Sequence, residues 1–230
     1  MPIEKIGRFY LSQDLVRGVP SIGVESSALN AVLEEARNYI SVFGADCFGF
    51  FEEDMNFFGY LNHLEYIWFW GVNLKSIEGI YSLKKLRRMG IFGKFPAIEF
   101  SRLSSLETLI WEYRKKDAGI PELTKLKSLY LWHYKPASKS FSELLLPANI
   151  EALSFNWANP YNLSGLPMLE NLKKLEIHQS RNLISMQGIS DIAPNLEEIT
   201  VTTSKKLTDL EGLKKLKNLK SARVNGNVVI

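Results

Sequence analysis

The sequence predicts an α/β repeat solenoid, and three observations predict it. From about residue 61, a frame of apolar, two variable, apolar, one variable, apolar recurs eight times. Its first members are Leu64, Leu86, Leu106, Leu126, Ile150, Leu172, Leu196 and Leu219, with steps of 22, 20, 20, 24, 22, 24 and 23 residues. Second, a strand alternates its faces with period two, so the fourth and sixth residues of each frame share one inward face. Those positions are apolar throughout, from Ile67 and Phe69 to Ala222 and Val224. Third, the stretches between frames carry their own apolar markers at three-residue spacing. Leu74-Ile77-Gly79-Ile80-Leu83 and Leu207-Leu210-Gly212-Leu213-Leu216 match in spacing, and Leu183-Met186-Gly188-Ile189-Ile192 nearly does. That spacing suits a short helical or 3₁₀ turn, with the glycine easing a tight bend before it. The architecture expected is a parallel sheet on a concave side and short helical, 3₁₀ or loop segments on a convex side.

These frames resemble leucine-rich repeats, especially the short class of about 22 residues found in bacterial internalins. The resemblance spans residues 61–230 and implies a curved stack of about eight repeats. The family places asparagine three residues beyond the last strand leucine, where its side chain bonds neighbouring backbone. Here that position holds Val72, Lys94, Arg114, Tyr134, Ala158, Ser180, Ser204 and Asn227. Only Ser180, Ser204 and Asn227 have suitable side chains, so the first five turns are expected to be less regular than the last three.

Residues 1–60 lack the frame and read as an N-terminal α/β cap, since a solenoid exposes core at its ends unless covered. Ser26 and Ser27 precede an amphipathic stretch, giving a helix at about 26–37 with a serine N-cap, then a strand at about 39–43. Phe48, Phe50, Phe51, Phe57 and Phe58 are expected to plug the first turn as core rather than line a ligand pocket. At the other end, Asn225-Gly226 suits either a truncated repeat or a hairpin covering the sheet edge. An open edge there would support a weak homodimer, and a covered one a monomer.

Composition narrows the function classes. Hydrophobic residues make up 46%, enough for a core. The 28 Lys and Arg are interleaved with 25 Asp and Glu, which argues against nucleic acid. Clusters such as Lys84-Lys85, Arg87-Arg88 and Arg114-Lys115-Lys116 read as solvated faces, or as steering for an acidic partner. The start Met1-Pro2-Ile3-Glu4-Lys5 lacks the pattern of a secretory signal, and no apolar run approaches membrane-spanning length. The single Cys47 fits a reducing compartment, so a cytoplasmic location is expected. No phosphate loop, nucleophile elbow or zinc-binding histidine pair is present, and no cofactor is implied. His133 and His178 stand two repeats apart, about 10 Å, too far to share a metal.

The variable strand residues define the expected binding surface. Tyr66, Trp68 and Trp70, Arg88 and Phe92, Ile110 and Glu112, and Tyr130 and Trp132 point outward from four successive frames, with Tyr134 and Trp157 in the turns beyond. Side chains at a strand spacing of about 4.8 Å would form a patch roughly 15 Å across. Large aromatics facing water imply a partner, and Trp, Tyr and Arg dominate binding hot spots. The reading is a non-catalytic module binding another protein, as a stoichiometric inhibitor or toxin-immunity protein. Three alternatives stand beside it: a cap folded over Tyr66, Trp68 and Trp70, a structural or self-associating scaffold, and a hydrolase using Glu176, His178 and Glu198.

Overall fold

Each frame becomes a strand because its inward positions bury together while its outward ones stay wet. In the structure, a computed structural model that describes residues 3–16 and 18–230, every inward pair from Ile67 and Phe69 to Ala222 and Val224 is buried. The strands are β5 (Tyr66–Asn73), β6 (Arg88–Lys94), β7 (Thr108–Glu112), β8 (Ser128–Trp132), β9 (Ala152–Asn156), β10 (Lys174–His178), β11 (Glu198–Thr202) and β12 (Ser221–Val224). Ahead of them lie β1 (Ile3–Ile6), β2 (Phe9–Val16), β3 (Val19–Gly23) and β4 (Ser41–Ala45), and β13 (Asn227–Val228) closes the series. Within each unit the strands follow one another in the sheet in chain order. Met1 and Pro2, part of the segment read as lacking a secretory signal, lie outside the described residues. No helix among the described residues is long and apolar enough to cross a membrane.

Two compact units divide the chain: Met1–Leu109 with Lys116–Gly119, and Ile110–Lys115 with Ile120–Ile230. In the first, β1–β2–β3 pair antiparallel and β3, β4, β5 and β6 pair parallel. The expected helix is α1 (Leu29–Glu35), flanked by 3₁₀ turns at Ser26–Ala28 and Ala36–Asn38. The serine cap is not formed: Ser26 Oγ accepts a hydrogen bond from the Phe51 N–H, 25 residues away. Phe50, Phe57 and Phe58 are buried as expected, whereas Phe51, its N–H held at Ser26, is 71% exposed. The strand expected at 39–43 is shifted two residues, to 41–45.

In the second unit β8–β12 are parallel, and β12 turns at Asn225-Gly226 into the antiparallel β13. The hairpin is therefore the form the last strands take. The convex segments are short: 3₁₀ turns at Glu78–Ser82 and Glu211–Lys215, and α2 (Ile189–Ile192). Two of their glycines act differently from expectation. A Cβ on Gly79 would lie 1.8 Å from the Met55 carbonyl oxygen, and one on Gly212 2.0 Å from that of Met186. These two glycines let consecutive turns touch, whereas Gly188 supplies the expected bend, left-handed and with Ile192 in ordinary contact range of a Cβ.

A row of charges runs beside the sheet at the residue before each strand. In the first unit Arg87 bridges Glu65 (3.3 Å) and Glu107 (2.8 Å). In the second, Lys127 pairs with Glu151 (3.0 Å), while Glu197 takes Lys173 (3.3 Å) and Lys220. The signs alternate strictly along the chain: Glu65, Arg87, Glu107, Lys127, Glu151, Lys173, Glu197, Lys220.

Candidate functional site

The trailing side of the sheet, where strands end, is built on an unusual backbone. In the second unit, the residue directly after each of β8–β12 is left-handed yet is not glycine: His133 (φ 57°), Trp157 (54°), Gln179 (55°), Thr203 (53°) and Asn225 (50°). Ribbon hydrogen bonds fix these corners to the next repeat. The N–H groups of His133, Trp157 and Gln179 donate to the carbonyls of Asn156, His178 and Thr202, each at 2.9 Å. A left-handed residue other than glycine costs about 1–3 kcal/mol, and bulky or β-branched ones are uncommon there. In the first unit Gly71 (φ 65°) and Gly93 (φ 137°), within β5 and β6, stand at the same step past the last inward side chain as His133, Trp157, Gln179 and Thr203.

The corners lift aromatic rings out of the strand plane and gather them. Trp132, the last residue of β8, lies 5.1 Å from Trp157 and 6.2 Å from His133 between ring centroids. His133 and Trp157 are 5.5 Å apart, and His133 Nδ1 is 2.9 Å from Glu112 Oε1. All four side chains are half-buried, so each keeps a face toward solvent. Beneath them a second aromatic series runs into the core. Trp111 contacts Tyr113, Tyr113 meets Tyr134 edge-on at 4.7 Å, and Tyr134 stacks on Phe141 at 5.3 Å.

Tyr134 therefore corrects the sequence expectation. It sits two residues past the strand, where Ala158, Ser180 and Ser204 are also buried, and it is fully enclosed. Burial pushes its phenol up to about 12. Ile110 is likewise buried, at 5%, since a mid-strand aliphatic side chain rises less far from the sheet than a ring. Of the other expected residues in this unit, Tyr130, Trp132, Glu112 and Trp157 remain half-exposed, and His133 joins them unforeseen.

In the first unit, Tyr66, Trp68, Trp70, Arg88 and Phe92 are each half-buried. Residues of β4 and the turn after it cover part of this face. Phe43 pairs in register with Trp68 yet is completely buried, with Phe48 at 6.0 Å and Trp70 stacked at 6.1 Å. Phe48 also touches Tyr10 and the edge of Trp70. The alternative of a cap folded over the first strands is thus partly realised, at Trp70.

No family model matches the sequence. The structure is similar to internalin C2 from Listeria monocytogenes, with TM-score 0.53 and 18% identity over 85% of this chain and 83% of that one. It is also similar to the leucine-rich-repeat domain of the type III effector XopL, with TM-score 0.63 and 16% identity over 87% and 74%. The fold is a leucine-rich-repeat solenoid. Its repeats depart from the asparagine rule in an ordered way. Asn227 lies in β13, and it is Asn225 that accepts from the Ser204 N–H (2.9 Å) and donates to the Ser204 carbonyl (3.1 Å). Ser204 Oγ donates to the Thr202 carbonyl, while Ser180 Oγ is buried with no partner among the described residues. Left-handed corners recur from His133 onward, so regularity begins at the fourth turn of the leucine-rich repeat, two turns earlier than expected.

The polar strands β10 and β11 carry the residues of the hydrolase alternative. His178 Nε2 is 3.6 Å from Glu176, and His178 Nδ1 is 2.8 Å from Thr202 Oγ1. Glu198 pairs in register with Lys174, two residues away from this contact. Burial would raise the Glu176 carboxyl, but the Lys174 ammonium at 2.7 Å and His178 hold it below its usual range. A carboxylate fixed in its ionised form is poorly suited to deliver a proton. The cavity beside it, between Tyr130, Ser154, Lys174 and Glu176, measures 20 Å³, room for one water. Among the described residues, no group of three or more His, Cys, Asp or Glu is arranged to hold a metal.

Proposed function

We propose that this solenoid is a non-catalytic module that binds a partner protein on its outer strand face, anchored at Trp132, His133 and Trp157. The observation that carries the reading is the backbone strain beneath the cluster. Glycine fills the same corner in the first unit, yet here the chain places histidine and, against its preference, tryptophan in the left-handed conformation. Strain kept at a surface cluster of half-exposed rings points to recognition, and stacked aromatics are the residue types that dominate hot spots. Tyr130 and Glu112 flank the anchor, and Tyr66, Trp68, Arg88 and Phe92 form a separate candidate contact face on the first unit. Such a module acts by occupying its partner, as a stoichiometric inhibitor, of which a toxin-neutralising immunity protein is one form.

The test is affinity capture from the native source with wild-type, Trp132→Ala and Trp157→Gly baits, followed by equilibrium binding of the protein retained. Either substitution is expected to weaken binding by about 2 kcal/mol, roughly thirtyfold. Unchanged affinity in both variants removes the aromatic anchor.

A further inference from the structure

Two charged rows flank the sheet in the second unit, and they obey opposite rules. Before the strands, Lys127, Glu151, Lys173, Glu197 and Lys220 alternate in sign, and neighbours pair. The third residue after each of β7–β11 is instead Lys115, Lys135, Asn159, Arg181 and Lys205. The four cations are exposed, and none has a carboxylate partner among the described residues. Acids near this side are already engaged: Glu112 with His133, Glu143 with the Ser138 hydroxyl, and Asp209 with the Ser185 hydroxyl.

The backbone keeps this row in register. Besides the bonds from His133, Trp157 and Gln179, the Asn159 N–H donates to the Tyr134 carbonyl at 3.0 Å. Lys115 and Lys135 thus follow on adjacent turns, as do Arg181 and Lys205, with Asn159 between the two pairs; at a strand spacing of about 4.8 Å the members of each pair repel. The opposite side shows that this same repeat can compensate its own charges. On the trailing side it does not, and the compensation is left to something outside the chain.

We infer that the row of Lys115, Lys135, Arg181 and Lys205 docks an acidic surface of a partner protein, its carboxylates ranged along one edge. The inference rests on the reading that the adjoining Trp132–His133–Trp157 cluster receives a protein. A protein suits the neighbourhood, because the adjoining cluster offers stacked rings and a carboxylate of its own, Glu112, so whatever meets the row also meets apolar and acidic groups. Complementary charge of this kind governs encounter rate and orientation, while the rings supply the desolvated anchor.

The experiment uses fluorescence anisotropy at low salt with labelled poly-glutamate, labelled single-stranded DNA of equal length, and anionic vesicles of phosphatidylserine in phosphatidylcholine. Poly-glutamate is expected to bind the wild-type chain. The variant Lys115→Glu/Lys135→Glu/Arg181→Glu/Lys205→Glu is expected to lose about tenfold or more. A control of equal net charge, Lys84→Glu/Lys125→Glu/Lys215→Glu/Lys217→Glu, is expected to stay within about twofold of wild type. Equal loss in both variants, or no binding of poly-glutamate to wild type, overturns the proposal. DNA or vesicles binding more tightly than poly-glutamate, with selective loss in the row variant, also overturns it by assigning the row to phosphate. Trp132→Ala is expected to leave poly-glutamate binding unchanged. Failed partner capture with an intact row response thus sinks only the aromatic reading, and the reverse pattern sinks only this one.

Discussion

The two units solve one corner of the repeat with opposite residues. Two residues past the last inward side chain of a frame the chain turns left-handed: the first unit uses Gly71 and Gly93, within β5 and β6, and the second uses His133, Trp157, Gln179 and Thr203, just past β8–β11. At Gly93 the choice is forced by backbone, and at Gly71 a Cβ would have to displace the Asp46 side chain. A Cβ on Gly93 would lie 2.2 Å from the Val72 carbonyl oxygen, and one on Gly71 2.5 Å from the Asp46 carboxylate. In the second unit the corner has room for side chains, and the chain spends stability to put them there. A repeat fold thus fixes a backbone path, and whether a site can grow on it depends on whether the corner admits a Cβ.

The contrast can be broken most severely at Gly93. Gly93→Ala is expected to cost about 3 kcal/mol, since alanine meets backbone that cannot swing away and takes a positive φ as well. Urea unfolding measures this directly, and a loss below about 1 kcal/mol would mean that the first unit's corner is not closed.

An alkaline titration sharpens the other side of the comparison. Tyr134, next to the His133 corner, has its phenol raised by burial to about 12, against 10.0 when exposed. The folded state therefore keeps a proton that the unfolded state releases. Between pH 10 and about 12 stability falls as pH rises, by about 2–3 kcal/mol in total. Tyr134→Phe is expected to remove that slope and the late tyrosinate absorbance step; an unaltered slope would place Tyr134 in solvent.

Smaller effects test the strain itself. Thr203→Gly is expected to gain about 1 kcal/mol, because a β-branched residue leaves a disfavoured conformation. Arg87→Ala, which opens the Glu65–Arg87–Glu107 bridge, is expected to lose less than about 1 kcal/mol at low salt and almost nothing at high salt. Unfolding of these two variants at two ionic strengths separates a strained corner from a screened surface pair.

These differences also show which features the sequence makes legible. Period-two apolar alternation reports the strand faces because burial acts on side chains one by one, so Ile67 through Val224 read correctly. β1–β3 went unread although Gly7 (φ 61°) and Gly18 (φ 76°) flank β2, since β1 is mostly exposed and offers little apolar pattern. The left-handed corners were invisible for a physical reason: tryptophan, glutamine and threonine give no sign of a conformation they disfavour. The burial of Tyr134 was hidden because a turn tyrosine looks exposed until its stacking partner, Phe141, is known. The Trp132–Trp157 contact was foreseeable from the repeat period, whereas His133 became part of the site only through the corner that turns it toward Trp157.

The most direct test of the central claim is binding of the captured partner to wild-type chain and Trp157→Gly, with unfolding stability measured on the same samples. Glycine relieves the corner while the stacking on Trp132 and His133 is lost, so stability should change by less than about 1 kcal/mol. Affinity is expected to fall about thirtyfold at that near-constant stability. Affinity held at the wild-type level would show that the strained aromatic corner is not the binding anchor.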